Sequence, residues 1–471
     1  MLLAKLIKTL SEDEIRKIRD DFQLPERSRL IFERIATSPS SPPNAENLVK
    51  AFRITKENFY SICSEIVDEC VRILARNEEF STLKFYKSKF LYRPFVTEAQ
   101  RIEKRLLGAG EKKTLEQFYE FVFLNIFQFP ADGIDLDLAE DFGNKWHRSK
   151  QHPPINDDLY IRLYVTVHRI GALAKKKKMT LAQMSDSARA FLDPISDDAE
   201  HSPNPLVRYY YYQAEWKAAI YQNIEGQIKI EWLLRSLHVI QENRSLFPPE
   251  LEESVELQVA YELAMNCNRA IEGLEIFRKF YREQTPETLP GAIYLVRFSR
   301  VAFLARDFAA SRKMAGEFER YKDSLTTPTI YISALLTKTM LEIIEGSSST
   351  ASRTIEIAKA SHQEHFSLAN EVVIRGLDTV IALKHGNLAE AEQLVERNIK
   401  WLRSRRLSLP TTSWMYFYQM IAAIIRYRMI GEPIRITLFE HFTTDFRSEY
   451  PEFFFLLENE MLDLQQVKNK M

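Results

Sequence analysis

The feature that most constrains this chain is a turn that recurs at even spacing. His385-Gly386-Asn387 closes one apolar-periodic stretch and Leu388-Ala389-Glu390-Ala391 opens the next; Glu345-Gly346 stands 40 residues earlier, with Ala351 in the place of Ala391. Another 40 residues back, Arg306-Asp307 precedes Ser311 at the same small position. Asn268-Arg269 with Gly273, and before them Glu225-Gly226-Gln227, continue the series. Prolines keep the same time: Pro205, Pro248-Pro249, Pro290, Pro328, Pro410 and Pro451 are about 38 to 44 residues apart, and the gap near Ser367 holds an N-cap residue type instead. A period marked twice predicts stacked helix hairpins. Glycine or asparagine ends the first helix of a unit by taking φ > 0, proline costs no hydrogen bond at the next helix start, and the small residue five places after the turn lets the two helices approach closely.

The turn glycine and following alanine, Gly386 with Ala391 and Gly346 with Ala351, resemble the tetratricopeptide repeat. That family's unit is about 34 residues, shorter than the spacing here, and its first-helix pattern has no clean counterpart. The resemblance covers roughly residues 204–451 and implies a superhelix of paired helices whose inner face holds a peptide or a partner's helix.

Few glycines (13) and abundant Leu, Ile, Ala, Glu, Lys and Arg favour helix throughout. Lys and Arg total 64 against 65 Asp and Glu, so no global attraction to nucleic acid or anionic lipid is expected. Residues 1–10 carry Lys5 and Lys8 in a short apolar pattern without a signal-peptide core and read as a first helix. The most apolar runs, 118–129 and 414–425, fall short of the ~20 residues a membrane span needs. A cytoplasmic location without membrane insertion is the expectation. Cys63 and Cys70 sit on one helical stripe with Phe59, Ile66 and Ile73, about 10 Å apart by helical rise, which predicts core residues and no disulfide.

Residues 1–76 differ from the array. Ser11 with Glu14 predicts a capping box, further helices follow over 25–36, 44–52 and 56–75, and 37–43 reads as a loop. Short helix, turn, long helix is also the outline of a DNA-reading module. The region holds 13 basic against 12 acidic residues, and its long helix carries Glu57, Glu65, Asp68 and Glu69, so phosphate binding is not expected.

Several local patterns are read as structure. Gly108-Ala109-Gly110 through Thr114 lacks the Gly-Lys-Thr ending and preceding strand of a phosphate loop, which leaves a helix-helix turn. Asp132-Gly133 with Asp135 and Asp137 lacks calcium-loop spacing; Asp135 or Asp137 is expected to cap a helix. Lys175 to Lys178 reads as a solvated turn between helices 157–173 and 181–192, and 194–205 as an insertion-like loop. Tyr209, Tyr212 and Trp216 share one helical face while Tyr210 and Tyr211 point elsewhere; packing between hairpins is the plain reading and a groove for a peptide the sharper one. His362 and His365 have no evident third metal ligand, and Lys400, Arg403, Arg405 and Arg406 read as a charged helix end. The stretch 452–466 reads as a closing helix whose Phe454, Phe455, Leu457 and Met461 cover the open end of the array.

The expectation is an all-α chain: a small helical N-terminal module (1–76), then a tetratricopeptide-like α-solenoid (77–471) of about nine antiparallel hairpins. With no reaction or cofactor motif evident, the expected function is a non-enzymatic scaffold or adaptor for a protein or peptide partner. Its candidate contact residues are Tyr209, Tyr212, Arg297, Arg300, Arg375 and Tyr416, all on first helices of hairpins. The alternative is a repeat-containing regulator whose N-terminal module touches DNA.

Overall fold

The computed structural model describes residues 2–37, 44–74, 80–89, 91–129, 134–173, 179–222, 226–281, 289–325, 328–362, 368–405 and 411–468. Among the described residues every regular element is helical and no strand occurs. The chain divides into two compact units, Met1–Ile161 and Arg162–Met471, a division by packing that differs from the compositional change after residue 76.

In the first unit, α1 (Leu2–Lys8), α2 (Glu12–Asp21), α3 (Glu26–Ala36) and α4 (Ala45–Phe52) pack on α5 (Lys56–Leu74), and α6 (Ser81–Ser88) follows onto the same helix. The Phe59, Cys63, Ile66, Cys70 and Ile73 stripe is buried, as its spacing predicts, and both cysteines are free. Ser11 and Glu14 form the reciprocal capping box of α2. Glu69, buried on α5, accepts the Gln23 N–H at 2.8 Å and the Arg72 guanidinium at 2.7 Å; Arg72 holds its carboxyl below the usual range. That carboxylate ties the end of α2 to α5. α7 (Tyr92–Ala109), α8 (Lys112–Ile126) and α9 (Leu136–Ser149) then pack in sequence order. Gly110 closes α7 at φ 70°, and Asp135 caps α9 by accepting the Asp137 and Leu138 N–H groups. The division between units falls within α10 (Asp157–Leu173).

The second unit starts with α11 (Leu181–Leu192), a 3₁₀ turn Asp193–Ile195 and α12 (Ser196–Glu200). The insertion-like reading of 194–205 is therefore overturned: Ile195 and Ala199 are buried, so this stretch is part of the packed helical ladder. Antiparallel pairs follow, each with a first helix A and a second helix B: α13 (Pro205–Tyr221) with α14 (Gly226–Glu242), α15 (Pro249–Asn266) with α16 (Ala270–Phe280), α17 (Leu289–Leu304) with α18 (Phe308–Leu325), α19 (Pro328–Ile344) with α20 (Ser348–His362), and α21 (Leu368–Lys384) with α22 (Leu388–Arg405). α23 (Thr411–Ile430), α24 (Ile436–His441), a π-helical turn Phe442–Phe446, α25 (Arg447–Glu449) and α26 (Pro451–Lys468) complete it.

The predicted ruler is visible in the backbone. Asn268, Arg306, Gly346 and Gly386 all have positive φ, at 55°, 61°, 75° and 74°. At the last three, the N–H of the next residue reaches back five places: Asp307 to Ala302, Ser347 to Glu342, Asn387 to Ala382. This is the bonding of a Schellman turn. Five residues after each left-handed residue, Gly273, Ser311, Ala351 and Ala391 are buried. At Gly273 an added Cβ would lie 2.4 Å from the Ala260 carbonyl oxygen, so a side chain there is blocked by backbone.

A second ladder runs inside. Ser299, Thr339 and Thr379 are buried hydroxyls 40 residues apart on three successive A helices. Ser299 and Ser311 each donate to the other's carbonyl, at 2.9 and 2.7 Å, while Thr379 accepts from Asn398 at 3.1 Å. Links between neighbouring hairpins repeat as well: Arg312 to Glu345, then Ser352 to His385 one period later. A helices also pack on the next A helix, α15 on α17, α17 on α19 and α19 on α21.

Gly226 departs from the ruler. It opens α14 instead of closing α13, and its missing side chain accommodates the Asn266 carbonyl, 2.4 Å from where a Cβ would stand. Lys175 to Lys178, Asp132-Gly133, His365, Arg406 and Pro410 lie outside the described residues.

Candidate functional site

Charged side chains of the A helices of the second unit form a face on which α26 is seated. α26 packs on α17 and α19 and reaches α21 and α23 through side chains. Arg300 of α17 donates to Glu452 at 2.8 Å, Arg306 at the following turn to Glu458 at 2.9 Å, Lys384 of α21 to Glu460 at 2.8 Å, and Arg428 of α23 also to Glu460. Residue numbers rise together on both sides of these pairs, so α26 runs in the direction of the A helices. It does not only close the end of the ladder, as the sequence suggested; its partners reach back across three hairpins.

Between the charges sits an aromatic slot. Phe453 is fully buried, 4.9 Å from the Trp414 ring and 5.3 Å from Phe417, both edge-on. Its space comes from Gly376, where an added Cβ would lie 2.8 Å from both Phe453 and Trp414. One and two periods earlier, on α19 and α17, this place holds Leu336 and Val296. A glycine inside a helix costs about 1 kcal/mol relative to alanine, so α21 gives up stability where α26 docks. Phe454, Leu456, Leu457 and Met461 are also buried, and Phe455 lies against the Arg306 guanidinium, 4.5 Å from its ring centre.

In the Arg300 pair the carboxylate is buried and the guanidinium half-buried. Burial alone lowers the pKa of the guanidinium, but Tyr261 and Glu452 outweigh it and hold the group above its ordinary value. The pair is incompletely satisfied: Arg300 Nε and Glu452 Oε2 are buried without a hydrogen-bond partner among the described residues. Each such atom costs roughly 1–3 kcal/mol.

Of the six candidate residues, the structure brings two together. Arg297 lies over the Tyr261 ring at 5.2 Å, and Arg300 meets the same tyrosine and Glu452. Arg375 turns towards α22, bonded to Glu371 and Asn398 and stacked 4.5 Å from the Trp401 ring. Tyr416 stacks on His441 at 4.8 Å. Tyr209 is buried against Phe247, and Tyr212 stacks on Trp232 with Arg235 beside it. Tyr210 meets Tyr164 and Tyr211 meets Trp232, so the four-tyrosine run is occupied by packing. Sequence reasoning missed Arg306, Lys384, Arg428 and Gly376. The one local signal was a glycine in the middle of an otherwise strong helix.

The hollow lined by Val296, Ser299, Phe318, Tyr331 and Leu335 holds about 10 Å³, room for at most a water. Among the described residues no group of three or more His, Cys, Asp or Glu could hold a metal, and no helix is long and apolar enough to cross a membrane. No family model matches the sequence, and no curated protein or solved structure matches it.

Proposed function

We propose that this chain is a non-enzymatic scaffold that holds a helix or peptide of a partner protein on the A-helix face of a tetratricopeptide-like superhelix of about nine hairpins. Contact between successive A helices supports a ladder curved towards that side, and the repeated left-handed turns support the tetratricopeptide-like unit. The observation that carries the reading is the seat of α26: four cations from α17, its following turn, α21 and α23, and a glycine-floored aromatic slot, already accommodate one helix. The N-terminal unit supports a protein partner over DNA. Five helices cover α5, and its exposed strip carries Glu57, Glu65 and Asp68.

The test is a pull-down with the full chain from nuclease-treated native extract. A stoichiometric protein partner, retained by the wild type and lost on Gly376→Leu in a folded variant, is the expected result. Retention of nucleic acid alone, in the absence of nuclease, overturns the scaffold and favours a DNA-binding regulator.

A further inference from the structure

We infer that α26 is a displaceable resident of this face, and that the partner displacing it is an acidic, phenylalanine-rich amphipathic helix with the chemistry of Pro451–Met461. The inference rests on the scaffold reading and adds to it the class of ligand and a means of regulation.

Charge complementarity names the ligand. Arg300 and Arg306 from α17 and its following turn, Lys384 from α21 and Arg428 from α23 converge on Glu452, Glu458 and Glu460, all on one helix. A helix lacking carboxylates at this spacing would leave the Arg300 guanidinium desolvated and unpaired, which selects against neutral or basic helices. The slot over Gly376 adds a size rule, since it is shaped to a phenylalanine ring at the residue after the first glutamate.

Displacement is favoured by how α26 is held and joined. Its seat leaves Arg300 Nε and Glu452 Oε2 without partners, so a helix free to settle its own register has polar bonds to gain. Before it, residues 431–435 form no helix, Gly431 has φ 71°, and a π-helical turn precedes α25. Met429, Ile430 and Ile436 at that elbow are exposed at 55%, 73% and 56%. Phe442 and Phe446 of the π-helical turn are fully buried, so the non-helical stretch 431–435 is the joint about which the segment carrying α26 turns when it leaves. A tethered helix competes at an effective concentration of about millimolar, so the affinity of a separate helix is reduced by the fraction of molecules in which α26 is docked. Releasing α26 raises that affinity.

The probe is a labelled synthetic peptide of residues 451–468, read by fluorescence anisotropy against the full-length protein. The wild type binds it weakly. The full-length variant Glu452→Lys/Glu458→Lys/Glu460→Lys, whose own tail no longer matches the face, binds it roughly tenfold or more tightly. Adding Arg306→Ala and Lys384→Ala to that variant, which removes two of the cations without offering the lysine-bearing tail a new partner, removes binding. A folded variant that binds no better than the wild type overturns the inference.

Should the variant fail to fold, hydrogen exchange on the unaltered chain decides. Saturating unlabelled peptide speeds exchange of the 451–461 amides while α17 and α21 stay protected; unchanged exchange at saturation overturns the inference. The two readings fail separately. A cellular partner captured equally by wild type and released variant, with α26 still protected, ends the inference and leaves the scaffold standing. Peptide binding to the released face with no protein captured from extract by either form ends the scaffold.

Discussion

In the N-terminal unit α5 is packed by α1, α2, α3, α4 and α6, whereas helices α17 to α22 pack chiefly on their neighbours in sequence and on the next A helix. The first arrangement concentrates burial on one hub. The second distributes it over repeated interfaces, so each hairpin depends on those flanking it. α25 and α26 are exceptions within the second unit: α25 packs on α15, and the Arg300–Glu452 and Arg306–Glu458 pairs each close 152 residues of chain.

The sharpest way to break this contrast is to attack the hub. Phe59→Ala removes a fully buried ring and is expected to cost about 3–5 kcal/mol, read by urea denaturation of the N-terminal transition. A loss under about 1 kcal/mol would mean α5 is not a hub.

Acid tests the array from its other end. His168 of α10 is half-buried beside Lys217 of α13, and desolvation first, then the Lys217 charge, lowers its pKa to about 3. Between that value and its ordinary 6.5 the unfolded chain binds the proton and the folded chain does not, so stability falls as pH drops through this window. The loss is on the order of 3 kcal/mol at pH 4. Hydrogen exchange at pH 4 should show α10 and α13 opening before α17 to α22, whose buried Ser299, Thr339 and Thr379 do not titrate there. His168→Phe should flatten the dependence.

Within the repeats, Ala391→Leu places a large side chain at a fully buried close approach and should cost about 1–3 kcal/mol. Lost protection should be confined to α19 to α23; spread to α13 and α14 would refute nearest-neighbour coupling. The smallest effect is at the turns. Gly386→Ala, at φ 74°, should cost about 1 kcal/mol, while Asn268→Gly at φ 55° should stabilise by less than that, both read as shifts in the thermal midpoint.

What the sequence made legible follows the range of the interactions. The left-handed positions 268, 306, 346 and 386 were readable because a turn is decided by a few adjacent residues, and α10 and α11 have the predicted limits because their caps and stripes are local. Asn268 and Arg306 show that register outweighs residue type, since neither is glycine. The seat of α26 was not legible. Arg300 could be picked as a candidate for the A face, but nothing near it in sequence names Glu452. Tyr209 packs on Phe247 in the bend before α15 and Tyr212 on Trp232 of α14, partners outside their own helix that the local sequence does not name. Gly226 carried the right residue for a turn and serves a different need, passage of the Asn266 carbonyl.

Removing one whole period, say residues 307–346, would leave Arg306 followed by Ser347, a left-handed residue before a helix start, as after α15, α19 and α21. The local joints would be satisfied. The closing helix would not, because Glu452 must find α17 while Glu460 finds α21 and Phe453 finds the gap at Gly376. α26 thus acts as a caliper: it tallies the hairpins between its contacts and holds their number at the one its own length can span.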